Sequence, residues 1–339
     1  MIMQTAIYVS KYVRMFFEDH LACRRNLSGA TIRSYRDAVK LFLAFVAQRA
    51  KKPATDLLVM DMTESAIVEF LNHLESERGN AIQTRNHRLI VLRRLLQYVA
   101  LQEPLAAEHC RRLLDIPTKK NRDVPEICYL EKAEISAILE ATDKSRAIGR
   151  RDHAILLFMY NTGARVQEVA DARVSWLSFE PPCKVEILGK GRKWRTCPLW
   201  DSVAGTLRKL LEERGASVGP DGPLFVNRFG KPLSRFGIRN IIEKYKNRAA
   251  LRMPGLRAKK VTPHTLRHTT AMHLLQSGVD INVIRSWLGH VNLATTHRYV
   301  EIDLAMKTKA LASCELPDNQ GVRRRWRPKP DILTWLESL

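Results

Sequence analysis

Apolar residues along the first hundred positions recur at three- and four-residue intervals, the spacing that lines one face of a helix. Val9, Val13, Phe16, Phe17 and Leu21 predict a helix over Ile7 to Leu21. A second begins near Thr31 with Ile32, Tyr35, Val39, Phe42 and Val46, and Thr63 caps a third that carries Ile67, Phe70, Leu71 and Leu74. The fourth, Ile82 to Tyr98, sets Leu89, Leu92, Leu95 and Leu96 against Arg85, Arg88, Arg93 and Arg94. Four amphipathic helices predict a small all-α domain over 1–115. A polar, basic segment bracketed by prolines, 116–125, reads as a linker.

Beyond the linker the pattern changes. Ile135, Ile138 and Leu139 mark a helix, and Asp152 to Tyr160 is too apolar for anything but a buried one. Val185 to Leu188 and Trp194 to Pro198 read as strands of a hairpin whose turn is Gly189-Lys190-Gly191-Arg192-Lys193. Leu224 to Val226 reads as a short strand, and Phe236 to Ala249 as a helix carrying Arg239 and Lys244, followed by a basic run from Arg252 to Lys260. Thr262 as N-cap and Pro263 at the first helical position open a further helix, with His264 and Arg267 three residues apart on one face. Gly289 ends the next helix and Asn292 caps another, so that a turn can bring His290 and Tyr299 to a common centre. The predicted class is therefore mainly α with a small β-hairpin sheet (α+β), in two domains.

Charge narrows the partner. Lys and Arg number 56 against 35 Asp and Glu, a formal net charge of +21 in 339 residues, and the excess runs along the whole chain. Such a balance favours a polyanion, nucleic acid first. The six cysteines are scattered without a paired spacing and read as reduced thiols. No apolar run reaches membrane-spanning length, which predicts no membrane partner and a cytoplasmic, nucleoid-associated protein. Metal binding is the other use of many histidines, but no carboxylate or cysteine falls at ligand spacing beside them.

Two guanidiniums, two imidazoles and a phenol suit one chemistry, attack on a phosphodiester. A phenol of reference pKa about 10 is ionised to only about one part in a thousand at neutral pH, so it needs a neighbouring proton acceptor. Arginine forks neutralise the charge that develops on the non-bridging oxygens. Arg165, following a glycine turn at a helix start, suits phosphate for the same reason, and Glu168 one turn on is placed to pair with it.

These residues occur in boxes. His264-Thr265-Leu266-Arg267, Leu288-Gly289-His290, Tyr299, Thr162-Gly163-Ala164-Arg165-Val166-Gln167-Glu168 and Leu188-Gly189-Lys190-Gly191 stand in one order at compatible distances. At these positions the chain resembles the tyrosine recombinase (phage integrase, Xer-type) family. The resemblance implies an N-terminal core-binding domain, a linker crossing the DNA and a catalytic domain over 126–302, the two domains closing around the duplex as a clamp. It assigns Tyr299 as nucleophile, Arg165 and Arg267 as transition-state stabilisers, Lys190 as general acid with Lys193 as its rival, and His264 and His290 to proton transfer and hydrogen bonding. No cofactor and no metal are implied. The implied partners are double-stranded DNA, a homo-tetramer on two DNA sites, and companion recombinases. Arg85, Arg88, Arg94, Arg192, Lys193, Arg239 and Lys244 are the candidate DNA contacts, each with the alternative of a solvated charge. His268 reads as structural, and His273 and His297 as core or surface residues. Residues 303–339 hold a further apolar helix and a basic tail, with Arg323, Arg324, Arg325 and Arg327 ahead of an apolar docking segment. This tail departs from the short Xer-type ending and points to a mobile element. Two alternatives keep parts of this picture: topoisomerase-like religation of one strand, and an inactive DNA-binding accessory protein.

Overall fold

The computed structural model describes residues 6–120, 127–215 and 219–289. The chain divides into two compact units, Met1–Pro125 and Glu126–Leu339. No helix among the described residues is long and apolar enough to cross a membrane.

The first unit is helical throughout. Its first helix, α1 (Val9–Met15), runs on into a wider π-helical stretch, Phe16–Arg24, so the single helix expected here changes pitch half-way. Next come α2 (Gly29–Ala50), capped by Ser28, and α3 (Glu64–Ser76), whose cap is Thr63 as the sequence predicts. The fourth helix, α4 (Ile82–Gln102), is one turn longer than expected. A fifth, α5 (Pro104–Leu114), follows at once and corrects the four-helix reading. Pro104 occupies its first position, where a missing N–H costs nothing, so a residue that reads as a breaker here opens a helix. Phe16, Phe42, Phe70, Leu71 and Leu95 fill the core, with the Phe42 and Phe70 rings 5.3 Å apart edge to face. Each such side chain contributes about 1.5–3 kcal/mol of apolar burial.

The segment read as linker begins inside this unit. Ile116 is buried in its core, and Lys119 exchanges two hydrogen bonds with Asn86, from its amide to Oδ1 (3.0 Å) and from Asn86 Nδ2 to its carbonyl (2.7 Å).

In the second unit α6 (Lys132–Glu140) precedes α7 (Ala147–Thr162), which is buried almost all round through Ala154, Ile155, Leu156, Phe158 and Met159. Helix α8 (Val166–Ala170) is a single turn. The sheet is antiparallel with order β1 (Leu177–Ser178), β2 (Lys184–Leu188), β3 (Trp194–Pro198); the short β1 was not expected from the sequence. Leu224 to Val226 is not a strand: the chain there makes only isolated bridges, Arg173 with Pro223 and Val226 with Pro232. Prolines on both bridges remove the donors that a ladder would need. Helices α9 (Asp201–Arg214), α10 (Arg235–Ala249), α11 (Pro263–Gln276) and α12 (Ile281–Leu288) complete the described fold.

Helix α11 is central to this unit and buries polar residues as well as apolar ones. Thr270 Oγ1 donates to Tyr160 O (2.8 Å), and Thr269 Oγ1 accepts from the Leu130 amide (2.9 Å). These bonds satisfy the hydroxyls and tie α11 to α7 and to the segment leading into α6. His273 is buried and meets Tyr160 Oη at 2.8 Å, a core role.

Candidate active site

Gly163 closes α7 in the left-handed conformation, φ 59°. A Cβ at this point would stand 2.5 Å from Leu288 Cδ2, so α12 packs against bare backbone. The turn delivers Arg165 to the N-cap of α8. The amide of Arg165 donates to Glu168 Oε2 (2.8 Å) and its Nη1 to Glu168 Oε1 (2.8 Å). The anion held at this helix start is therefore the chain's own carboxylate. The expected pairing of Arg165 with Glu168 is present. Glu168 is buried, which pushes its pKa up, but bonds from Arg195 and Arg165 outweigh this and hold it below the usual carboxylate range.

Thr262 caps α11 and Pro263 occupies its first turn, as the sequence predicts. Arg267 points inward and is 3% exposed. Its Nη1 donates to Gly163 O (2.7 Å) and its Nη2 to Leu288 O (2.6 Å). Helix α12 ends at Gly289, in the left-handed conformation at φ 65°. Helix ends leave carbonyls without partners and carry partial negative charge. Here three consecutive ones each receive a guanidinium. Trp287 O accepts from Arg195 Nε (2.9 Å), Leu288 O from Arg267, and Gly289 O from Arg165 Nη2 (3.3 Å). Three arginines against Glu168 leave the cluster with an excess of positive charge suited to a phosphate.

His264 lies on the first turn of α11 with its ring 6.5 Å from that of His268. Its ring still reaches solvent, yet the protein packed against it, then the charges of Arg267 and Arg165, lower its pKa. A neutral imidazole at neutral pH can accept a proton. Lys190, Arg192 and Lys193 are exposed on the β2–β3 turn, which closes through Gly189 N to Lys193 O (2.8 Å) and sets Gly191 and Arg192 at positive φ. Lys190, Lys193, Trp194, Arg195, Arg285 and Gly289 border a groove of about 410 Å³. His290, Asn292, Tyr299 and the tail lie outside the described residues.

The profile of the Phage integrase family matches residues 128–305, and that of the Phage integrase, N-terminal SAM-like domain matches 16–103. A protein named as an integrase/recombinase, y4rC of Sinorhizobium fredii, is 38% identical over 325 residues, 96% of each chain. The chain belongs to the phage integrase family. It is a tyrosine recombinase by membership, with an N-terminal SAM-like domain and a catalytic integrase domain. Tyrosine recombinase XerD of Staphylococcus epidermidis is 32% identical over 286 residues, 82% of this chain and 90% of that one. Among solved structures, the XerH site-specific recombinase bound to palindromic difH substrate superposes with a TM-score of 0.66 at 24% identity, over 86% of this chain and 82% of that one. The Tn1549 transposon integrase in complex with circular intermediate DNA gives 0.69 at 17%, over 92% and 100%. These two likenesses speak for the fold.

For this tyrosine recombinase, the described residues bring Arg165 and Arg267 together and set His264 within reach of their charge. The candidate DNA contacts divide. Arg94, Arg192, Lys193 and Arg239 are exposed. Arg85 is 8% exposed and donates to Asn86 Oδ1 and Pro117 O, and Arg88 is partly buried, with burial and then Arg78 lowering its pKa. Lys244 reaches Asp152 Oδ2 (3.4 Å), and Lys259 of the basic run donates to Glu134 (2.7 Å). Arg195 was missed by sequence reasoning. Its signal was alternation: it pairs with Ile187 across the strands and shares the inward face of Val185 and Cys197, where a charge demands a partner.

Proposed function

We propose that this recombinase cuts and rejoins double-stranded DNA at specific sites through a covalent 3′-phosphotyrosyl intermediate. The observation that carries the proposal is the three-arginine cradle at the end of α12, where three consecutive carbonyls each accept from a guanidinium beside an excess of positive charge. Arg165 and Arg267 bind the non-bridging oxygens of the scissile phosphate as phosphorus becomes five-coordinate. The Tyr299 oxygen forms the new bond to phosphorus, its proton passing to a neighbouring imidazole, His264 or His290. The bond to the 5′ oxygen breaks, and Lys190 protonates that oxygen to a free hydroxyl. A 5′ hydroxyl from a partner duplex reverses the steps and releases the phenol. The phosphodiester energy stays in the intermediate, and strands exchange in pairs through a Holliday junction in a tetramer on two DNA sites, with companion recombinases where two are needed. The y4rC name and the Tn1549 integrase's likeness support a mobile-element setting.

The test incubates the protein with DNA from both flanks of its gene, intact and as nicked suicide substrates, in EDTA, and resolves the products on denaturing gels. A covalent adduct with wild type and none with Tyr299→Phe is the expected result. Tight binding without adduct on either substrate would favour the accessory-protein reading, and an adduct surviving in the variant would remove Tyr299 as nucleophile.

A further inference from the structure

Arg195 lies between two glycines that each precede a predicted catalytic residue. A Cβ on Gly189, next to Lys190, would stand 3.4 Å from Arg195 Nη1, and one on Gly289, next to His290, 3.1 Å from Arg195 Cδ. The side chain is 8% exposed, and its bonds run in two directions. Nε donates to Trp287 O at the end of α12, and Nη2 donates to Glu168 Oε2 (2.6 Å). The other oxygen of Glu168 holds Arg165. One guanidinium thus joins the strand that carries the hairpin turn, the end of α12 and, through Glu168, the first arginine of the site.

We infer that Arg195 is a positioning residue that fixes the Lys190 turn, the Gly289 end of α12 and Arg165 in one register, without itself touching DNA. The inference rests on the function proposed above. Its planar fork suits the task because one rigid group serves a carbonyl and a carboxylate at once, which a lysine ammonium cannot do with the same spread. Removing Arg195 leaves Glu168 buried with one cation instead of two, so its carboxyl takes up a proton at higher pH and releases Arg165.

The experiment compares full-length wild type, Arg195→Ala and Arg195→Lys in single-turnover adduct formation on suicide substrates, with DNA affinity and a rate–pH profile measured alongside. Small misplacements of reacting groups cost about a hundredfold, so the Ala variant should slow by about that factor and the Lys variant by about tenfold. DNA affinity should stay within about twofold, and the acid limb of the Ala profile should move to higher pH. An unchanged rate, or affinity lost in step with rate, overturns the inference. Hydrogen exchange separates it from the proposed function. If wild type forms no adduct, the recombinase reading fails, yet faster exchange at both the Gly189 and Gly289 amides in the Ala variant, reduced in the Lys variant, still supports the coupling. Unchanged exchange at either amide overturns it.

Discussion

Both units bury arginines that donate to main-chain carbonyls, and they do so to different ends. On α4, Arg93 donates to Ile116 O and Arg85 to Pro117 O, while Arg85 Nε lies 3.4 Å from Glu75 Oε1. Lys119 donates to the other oxygen of Glu75 (2.8 Å). These bonds strap the chain leaving the first unit back onto its own helix. In the second unit, Arg165, Arg195 and Arg267 come from three separate elements and converge on one helix end. The first arrangement holds a segment down. The second gathers charge at a point. The same residue type therefore builds a strap in one place and a positively charged cluster in the other, and what separates them is whether the donors stand along one helix or converge from three elements on a helix end.

The comparison breaks most sharply at Arg267. Arg267→Ala leaves Gly163 O and Leu288 O without their donors inside the protein, a loss of about 3 kcal/mol in thermal or denaturant unfolding. Adduct formation should fall about a thousandfold, as for loss of a preorganised transition-state donor. A variant that loses stability but cleaves at the wild-type rate would show that the cluster is a second strap. Gly163→Ala sharpens the same point from the backbone side. Alanine in the left-handed region costs about 1–2 kcal/mol, and its methyl would press on Leu288, which must shift and carry the end of α12 with it. Cleavage should fall more steeply than stability; equal effects on both would detach Gly163 from the site.

How much of this was legible follows from what each feature depends on. The boxes around Arg165, His264, Arg267 and Gly289 stand out because their chemistry needs fixed types at fixed spacing, and caps such as Thr63 and Thr262 announce themselves locally. Arg195 and the strap do not. Whether Arg85 faces a phosphate or Pro117 O depends on where residues some thirty positions later return, which no local pattern encodes. Helix α5 was hidden by its own Pro104, and the break in the strand at Leu224 by flanking prolines whose pairing is non-local.

Within the first unit, Arg85 and Arg94 should behave oppositely. Arg85→Ala removes the bond to Pro117 O and leaves Glu75 without one cation, a cost of about 1–3 kcal/mol, while the salt dependence of DNA binding stays as in wild type. Arg94 is exposed, and Arg94→Ala should leave stability within about 0.5 kcal/mol. The slope of log affinity against log salt should then drop by about 0.9, the contribution of one phosphate. A reduced slope in Arg85→Ala would return that residue to the DNA face.

The smallest expected effect is a pH dependence that falls unevenly on the two units. In the second, His153, His264 and His273 all have pKa values lowered, first by burial and then by nearby cations; in the first, His20 is lowered in the same way. A histidine whose folded pKa lies below its unfolded value of about 6.5 binds protons more readily when unfolded. Its contribution to stability is complete above that value and is lost as pH falls through the lowered folded pKa. Unfolding midpoints of the full chain should thus hold steady from pH 8 to about 6.5 and decline below it, and His264→Gln should flatten part of that decline. Because the His264 ring reaches solvent, its share is smaller than that of buried His273. Curves for wild type and His264→Gln that fall in parallel below pH 6.5 would mean that neither the protein packed against the ring nor the charges of Arg267 and Arg165 perturb the imidazole in the folded state.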